Sequence, residues 1–296
     1  MKLVKGLFLS CVGVFSLSSL AHDFSRADEL FKNRANSFER STEARKAYEE
    51  TLNLNLAKVD KVYAVSQMAR LDLYRGAMLP NIELKQRKKV LEQCVNTVET
   101  IKSTGRQEYY YYHLACVAFR GKLSSMLGRI SWALKLKKAQ HAALESLKTG
   151  VAYEGGGILR VLSAVRGNRK AKALKLYNPA EALDFSTRAL ETPRTTVRPF
   201  PEDLSGRDYH ENSFYLGQAQ IAVGVENEDR VMAMKGLNTI QETMARLDEL
   251  EELDELPKGR EPETNYYRKQ MSEMTEKVSS CMSETKWRSC LIKKLN

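Results

Sequence analysis

The side chains that most often do chemistry are sparse in this chain, and their spacing matches no catalytic or metal-binding pattern. The histidines are His22, His113, His141 and His210, and His210-Glu211 lacks the second histidine four residues on that a zinc helix requires. There is no Gly-x-Ser-x-Gly elbow, and no cysteine has the histidine-bearing context of a thiol hydrolase. The residues therefore predict no enzyme, no metal and no cofactor. Groups suited to recognition lie in two places. The first is Tyr109, Tyr110, Tyr111 and Tyr112, followed by His113. Four consecutive positions cover every face of a helical turn, so at least one ring should face a core and at least one solvent or a groove. A tyrosine-lined groove suits a partner peptide or an apolar ligand, because each ring offers apolar area with a polar tip; plain packing is the alternative. The second place is Tyr153-Glu154-Gly155-Gly156-Gly157-Ile158-Leu159-Arg160. Three glycines at a helix start leave amide groups free for an anion, with Arg160 one turn on as a second contact. No Lys-Ser or Lys-Thr follows, so this is not a nucleotide loop, and the same glycines could serve a sharp turn with close helix packing.

Cysteines carry the other possible chemistry. Beyond Cys11 there are four, Cys94, Cys116, Cys281 and Cys290. An even number suits two disulfides in an oxidising compartment. Cys94 and Cys116 stand the same distance either side of Gly105, so they face each other if Gly105 turns an antiparallel helix pair; reduced core cysteines are the other reading. Cys281 and Cys290 would be about 13 Å apart along a continuous helix, beyond the reach of a disulfide, so a bond there requires a bend near Ser283.

The elements that must hold these groups are helices. Only 7 prolines and 16 glycines interrupt 296 residues, and apolar positions recur at three and four, so no strand is needed. Val62, Val65, Ala69 and Leu73 make one stripe, and Val90, Leu91, Cys94, Val98 and Ile101 the next. Leu114, Ala115, Ala118 and Leu123 follow after Gly105, and Ile130, Ala133, Leu134 and Leu144 form a fourth. Asn178-Pro179-Ala180-Glu181 is a helix start: Asn178 caps, Pro179 suits the first position and Glu181 complements the positive dipole end. The basic stretch Arg166, Arg169, Lys170, Lys172 and Lys175 reads as a solvated loop, or as a contact for an acidic partner. Pro193, Pro199 and Pro201 mark an extended loop, and helices are expected around residues 211 to 223, 228 to 250 and 264 to 281.

Lys2 and Lys5 precede an apolar run from Leu7 to Leu20 that ends in Ser19-Leu20-Ala21, the pattern of a signal peptide over residues 1–21. The run is too short for a membrane span, and Cys11 lies inside it, unlike a lipoprotein cysteine. Removal of the two lysines takes the net charge from +10 to +8. A basic surface attracts nucleic acid, anionic lipid or acidic partners, and an exported chain does not meet nucleic acid. The expected domains are a helical repeat region over 22–256 and a C-terminal helical extension over 257–296.

Helix pairs about 34 residues apart suggest a stack, since one amphipathic pair cannot bury its own apolar face. Large-then-small pairs on first helices (Met68-Ala69, Leu114-Ala115, Leu216-Gly217), Ala182 with Ala189 on a second helix, and Gly224 at a turn fit tetratricopeptide-like repeats. Asp229 stands where the last repeat would want alanine. Taken with Ala27-Asp28-Glu29-Leu30-Phe31, Ala44 and Tyr48, Tyr215-Leu216-Gly217-Gln218-Ala219 and above all the Tyr153 to Leu162 segment, the chain resembles the T-component of TRAP transporters. That resemblance implies an all-α, tetratricopeptide-like solenoid in the periplasm that engages a solute-binding protein or handles its ligand, a small apolar compound or an organic acid. The site would lie in an inner groove around Tyr109, Tyr110, Tyr111, Tyr112, Tyr153 and Arg160. A general cell-envelope scaffold without a transport role is the alternative, and a second copy of the chain is another candidate partner.

Overall fold

The computed structural model describes residues 23–34, 37–148, 153–196, 203–256 and 259–295. The signal-peptide segment, Pro199 and Pro201 lie outside them. The chain runs through α1 (Ser25–Lys32), α2 (Phe38–Leu52), α3 (Lys58–Leu73), α4 (Leu84–Glu99), α5 (Gln107–Lys122) and α6 (Met126–Ser146). It continues through α7 (Tyr153–Arg166), α8 (Pro179–Leu190), α9 (His210–Asn227), α10 (Arg230–Glu252), α11 (Glu261–Met282) and α12 (Trp287–Leu295). A π-helical turn over Tyr74–Met78 continues α3.

Helices pack in sequence-adjacent pairs from α1 with α2 through α9 with α10. Successive odd helices also touch, α3 with α5, α5 with α7 and α7 with α9, so these four form one layer and α4, α8 and α10 flank it. Small residues set how closely the layers approach. A Cβ on Gly217 would lie 2.5 Å from Ile240 Cγ1, and one on Gly236 would lie 2.5 Å from the Gly217 carbonyl oxygen, so α9 and α10 cross backbone to backbone. Ala69, Ala115, Ala182 and Ala189 are all buried.

Several local expectations meet the structure directly. Asn178 accepts the Glu181 amide hydrogen at 3.2 Å and starts α8. Gly105 turns α4 into α5 with φ of 65°. The Cys94 and Cys116 sulfurs then meet at disulfide distance, with Cα atoms 5.8 Å apart. The chain bends at Ser283 between α11 and α12, which brings Cys281 and Cys290 to disulfide distance with a Cα separation of 5.5 Å. Among the described residues no helix is long and apolar enough to cross a membrane.

Others differ. Ile130 and Leu134, expected in the fourth apolar stripe, are 60% and 59% exposed, while Ala133, Leu136, Ala139 and Ala143 of α6 are buried. The buried set steps by three and four from Ala133, and Ile130 and Leu134 share the opposite face. The proline-bearing loop contains a two-residue antiparallel pairing, Thr195 with Leu204 and Thr196 with Asp203. Gly224 lies inside α9, where a Cβ would meet the Ala233 backbone; the turn is made by Glu228 at φ 58°. Asp229 caps α10 by accepting the Met232 amide hydrogen, so the small residue of that crossing is Ala233. The C-terminal region holds two helices rather than one. Tyr267, Met271, Val278, Cys281 and Leu291 share a core with Phe214, Ile221 and Leu237 of α9 and α10.

Candidate binding site

The start of α7 has an unusual backbone. Glu154, Gly155 and Gly156 take left-handed φ/ψ of 50°/54°, 54°/46° and 83°/27° in succession. Glycine adopts this without steric cost, whereas Glu154 does so against its Cβ. The glycines also let three neighbours approach. A Cβ would lie 2.3 Å from the Tyr209 ring at Gly155, 2.8 Å from Ala189 Cα at Gly156 and 2.9 Å from the Tyr111 ring at Gly157. The space beside these glycines is thus filled by packed groups, and the Gly155 carbonyl accepts a hydrogen bond from the Asn212 side chain at 2.7 Å.

This turn delivers Glu154 and Arg160 into a buried polar seam between the odd-numbered helices and the start of α11. Glu154 accepts the Tyr112 hydroxyl at 3.0 Å, with Arg70 of α3 at 3.5 Å and Arg160 at 3.8 Å from its carboxylate oxygens. Arg160 donates to the Asn212 amide oxygen at 3.1 Å and to the Tyr111 hydroxyl at 3.4 Å, with its guanidinium 5.1 Å from the Tyr209 ring centroid. Arg260 lies 4.5 Å from the same ring and donates to Glu211 at 3.0 Å. Glu263, at the start of α11, bonds Arg34 and lies 3.5 Å from Arg70. The seam therefore ties α3, α5, α7 and α9 to the first turn of α11.

Burial controls the protonation of these groups. Desolvation pushes the Tyr111 hydroxyl up to about 12, with Glu154 adding to the shift, and raises Tyr112 and Tyr153 further. All three stay protonated and neutral at ordinary pH. Burial holds the His210 imidazole down to about 4, against its ordinary 6.5. Burial opposes the charge on Glu211, but His210, Arg260 and Arg160 outweigh it and keep the carboxyl well below its usual range. Fixed donors, paired charges and aromatic faces in a desolvated setting can bind and orient a polar group with little loss of freedom.

Of the residues singled out from sequence, Tyr111, Tyr112, Tyr153 and Arg160 come together here. The Tyr111 ring centroid is 5.9 Å from that of Tyr153 and 4.7 Å from that of Tyr112. Tyr112 is buried, and Tyr111 and Tyr153 retain some exposed surface. Tyr109 does not join them. It is buried against α4, donates to Glu99 at 3.2 Å and stacks on His113. Tyr110 is half-buried, packed where two of the apolar clusters meet. Sequence reasoning missed Arg34, Arg70, Tyr209, Glu211, Asn212, Arg260 and Glu263. The available signal was charge inside apolar helix patterns, clearest for Arg70 between Ala69 and Leu71.

A cleft of about 760 Å³ opens between α1 and the end of α10, lined by Asp28, Glu29, Glu251, Asp254, Gly259 and Glu261 with Lys32. Its acids are largely solvated, whereas the seam's charges are desolvated and held by several partners, so the seam carries the stronger recognition chemistry. No family model matches the chain, and a search of curated proteins returns no match.

Proposed function

We propose that the chain is an exported helical binding protein of the kind found as T-components of TRAP transporters. It engages a solute-binding protein or its solute through tetratricopeptide-like stacked pairs, at the tyrosine end of the seam. One observation carries this reading: Tyr111 keeps exposed surface, yet its hydroxyl is desolvated and bonded to buried Arg160. The partly exposed ring can meet a partner while its hydroxyl contacts a fixed cation. The groups are already oriented by Asn212, Glu154 and Tyr209, so binding needs little rearrangement. The cysteine pairs at disulfide distance suit an oxidising compartment.

The test is to mix the mature protein with the solute-binding protein of a TRAP system from the same genome and measure complex mass by light scattering after size exclusion. Co-elution at a fixed ratio, lost in Tyr111→Ala and kept in Tyr109→Phe, supports the proposal. Separate elution, together with capture of unrelated envelope proteins by the same surface, would favour a general envelope scaffold instead.

A further inference from the structure

We propose that the outer face of α6 is a docking surface for an anionic lipid bilayer. It is separate from the binding reading above, which concerns the tyrosine end of the seam. Charge along the chain gives the first indication. Between Glu108 and Glu145 there is no acidic residue, although the chain holds 37, and the same stretch contains Arg120, Lys122, Arg129, Lys135, Lys137 and Lys138. A long run of one sign on and around a helix attracts a surface of the opposite sign.

The fold leaves much of that run uncovered. α6 packs against α5 through Leu136, Ala139 and Ala143, which share a core with Leu114 and Val117. Among the described residues no other helix covers α6 to a comparable extent. By helical spacing, Ile130, Leu134 and Lys138 lie opposite the buried side chains, with Lys137 and Lys135 on the two flanks. Ile130 and Leu134, one turn apart, are 60% and 59% exposed. Lys135, Lys137 and Lys138 are exposed and form no ion pair among the described residues, while Glu145, the one acid of the helix, is bonded to Lys148. Half-buried Trp132 stands at the edge, its ring centroid 4.3 Å from the Lys135 ammonium and 5.0 Å from the Arg120 guanidinium. An apolar stripe rimmed by lysines, with a tryptophan beside it, is how a helix lies in a headgroup layer: aliphatic groups enter the acyl boundary and ammonium groups stay among the phosphates. Lysine is a flexible point charge, and the described outer face presents no arginine fork for a fixed carboxylate, so it suits a diffuse field of headgroups better than one acidic protein partner. Two aliphatic side chains hold lipid weakly, but each lysine near an anionic surface adds roughly fivefold, and three together add roughly a hundredfold.

Flotation of the mature protein with vesicles tests this, using phosphatidylcholine alone and phosphatidylcholine with about a third phosphatidylglycerol. We expect binding to the anionic vesicles at least tenfold above the neutral ones, falling toward the neutral level as salt is raised. Ile130→Ser with Leu134→Ser, and Lys137→Glu with Lys138→Glu, should each weaken binding at least fivefold. Lys269→Glu with Lys277→Glu, exposed positions on α11, makes the same change in net charge and should leave binding within twofold of wild type. The four α6 positions are exposed, so equal thermal midpoints are expected, and the wild-type lipid comparison stands even if a variant fails to fold. Equal binding to both vesicles, or none, would overturn the inference. So would equal losses in the α6 and α11 charge variants, or an aliphatic pair whose replacement changes nothing. Capture of an acidic protein by α6 without vesicle binding would also overturn it. Each of these results leaves the proposed function standing, because Tyr111 lies on a different helix.

Discussion

Glu154 combines two unfavourable features, a left-handed backbone and a buried charge, and both are tolerated because Tyr112, Arg70 and Arg160 converge on its carboxylate. Removing that charge while keeping the shape should be more harmful than the backbone strain suggests, since Arg70 and Arg160 would then face a neutral group. We expect Glu154→Gln to lower unfolding free energy by about 3 kcal/mol, read from urea denaturation midpoints at constant slope. His210 gives a pH signature. As pH falls, the unfolded chain protonates near 6.5 while the folded imidazole resists until about 4. Stability therefore declines across that window, by up to about 3 kcal/mol. Glu211, held low in the fold, extends the decline below its ordinary carboxyl range. Denaturation at pH 7 and pH 4.5 should show the loss, and His210→Gln should remove most of it above the carboxyl range. At this scale the sequence was partly legible. Tyr111, Tyr112, Tyr153 and Arg160 stood out by type and spacing, but their partners come from α3, α9 and α11, and a pairing across 50 to 230 residues leaves no local periodicity to read.

Helices were the most legible feature, because apolar spacing, caps and turn residues act within a few positions of each other. Asn178 to Glu181 announced α8, and the symmetry about Gly105 placed Cys94 opposite Cys116. Ile130 and Leu134 misled because an apolar residue at helical spacing need not face the core; only neighbouring helices decide which stripe is covered. Close crossings make a sharper prediction. Replacing a mid-helix glycine by alanine ordinarily gains about 1 kcal/mol, but at Gly217 the new methyl would meet Ile240 and the Gly236 backbone, which cannot move aside cheaply. Overpacking should win, and we expect Gly217→Ala to cost a net 1 to 2 kcal/mol or so in thermal or chemical denaturation. The last element depends on its staple. Cys281 is buried in the α9–α11 core, and α12 adds Leu291 and a hydrogen bond from Arg288 to the Val225 carbonyl at 2.7 Å. With Cys281 and Cys290 both changed to serine, α12 should lose amide protection first, and global stability should fall by about 2 to 3 kcal/mol from the lost loop constraint.

Taken whole, the molecule joins its two ends through charge. Arg34, just after α1, donates to the Gly259 carbonyl at 2.8 Å and bonds Glu263, while Arg260 reaches Glu211 at the start of α9. The C-terminal region, read from sequence as an extension, supplies part of the seam that α3, α5, α7 and α9 share. That arrangement suits a binding protein whose interior polarity is fixed before the partner arrives. The account rests on Tyr111 being where the seam meets what it binds. Native mass spectrometry of the mature protein, recovered from its own envelope and compared with Tyr111→Ala of equal thermal stability, addresses this most directly. We expect a bound ligand or partner mass on the wild type that is absent from the variant; an identical mass on both, or the bare chain in each, would contradict the account.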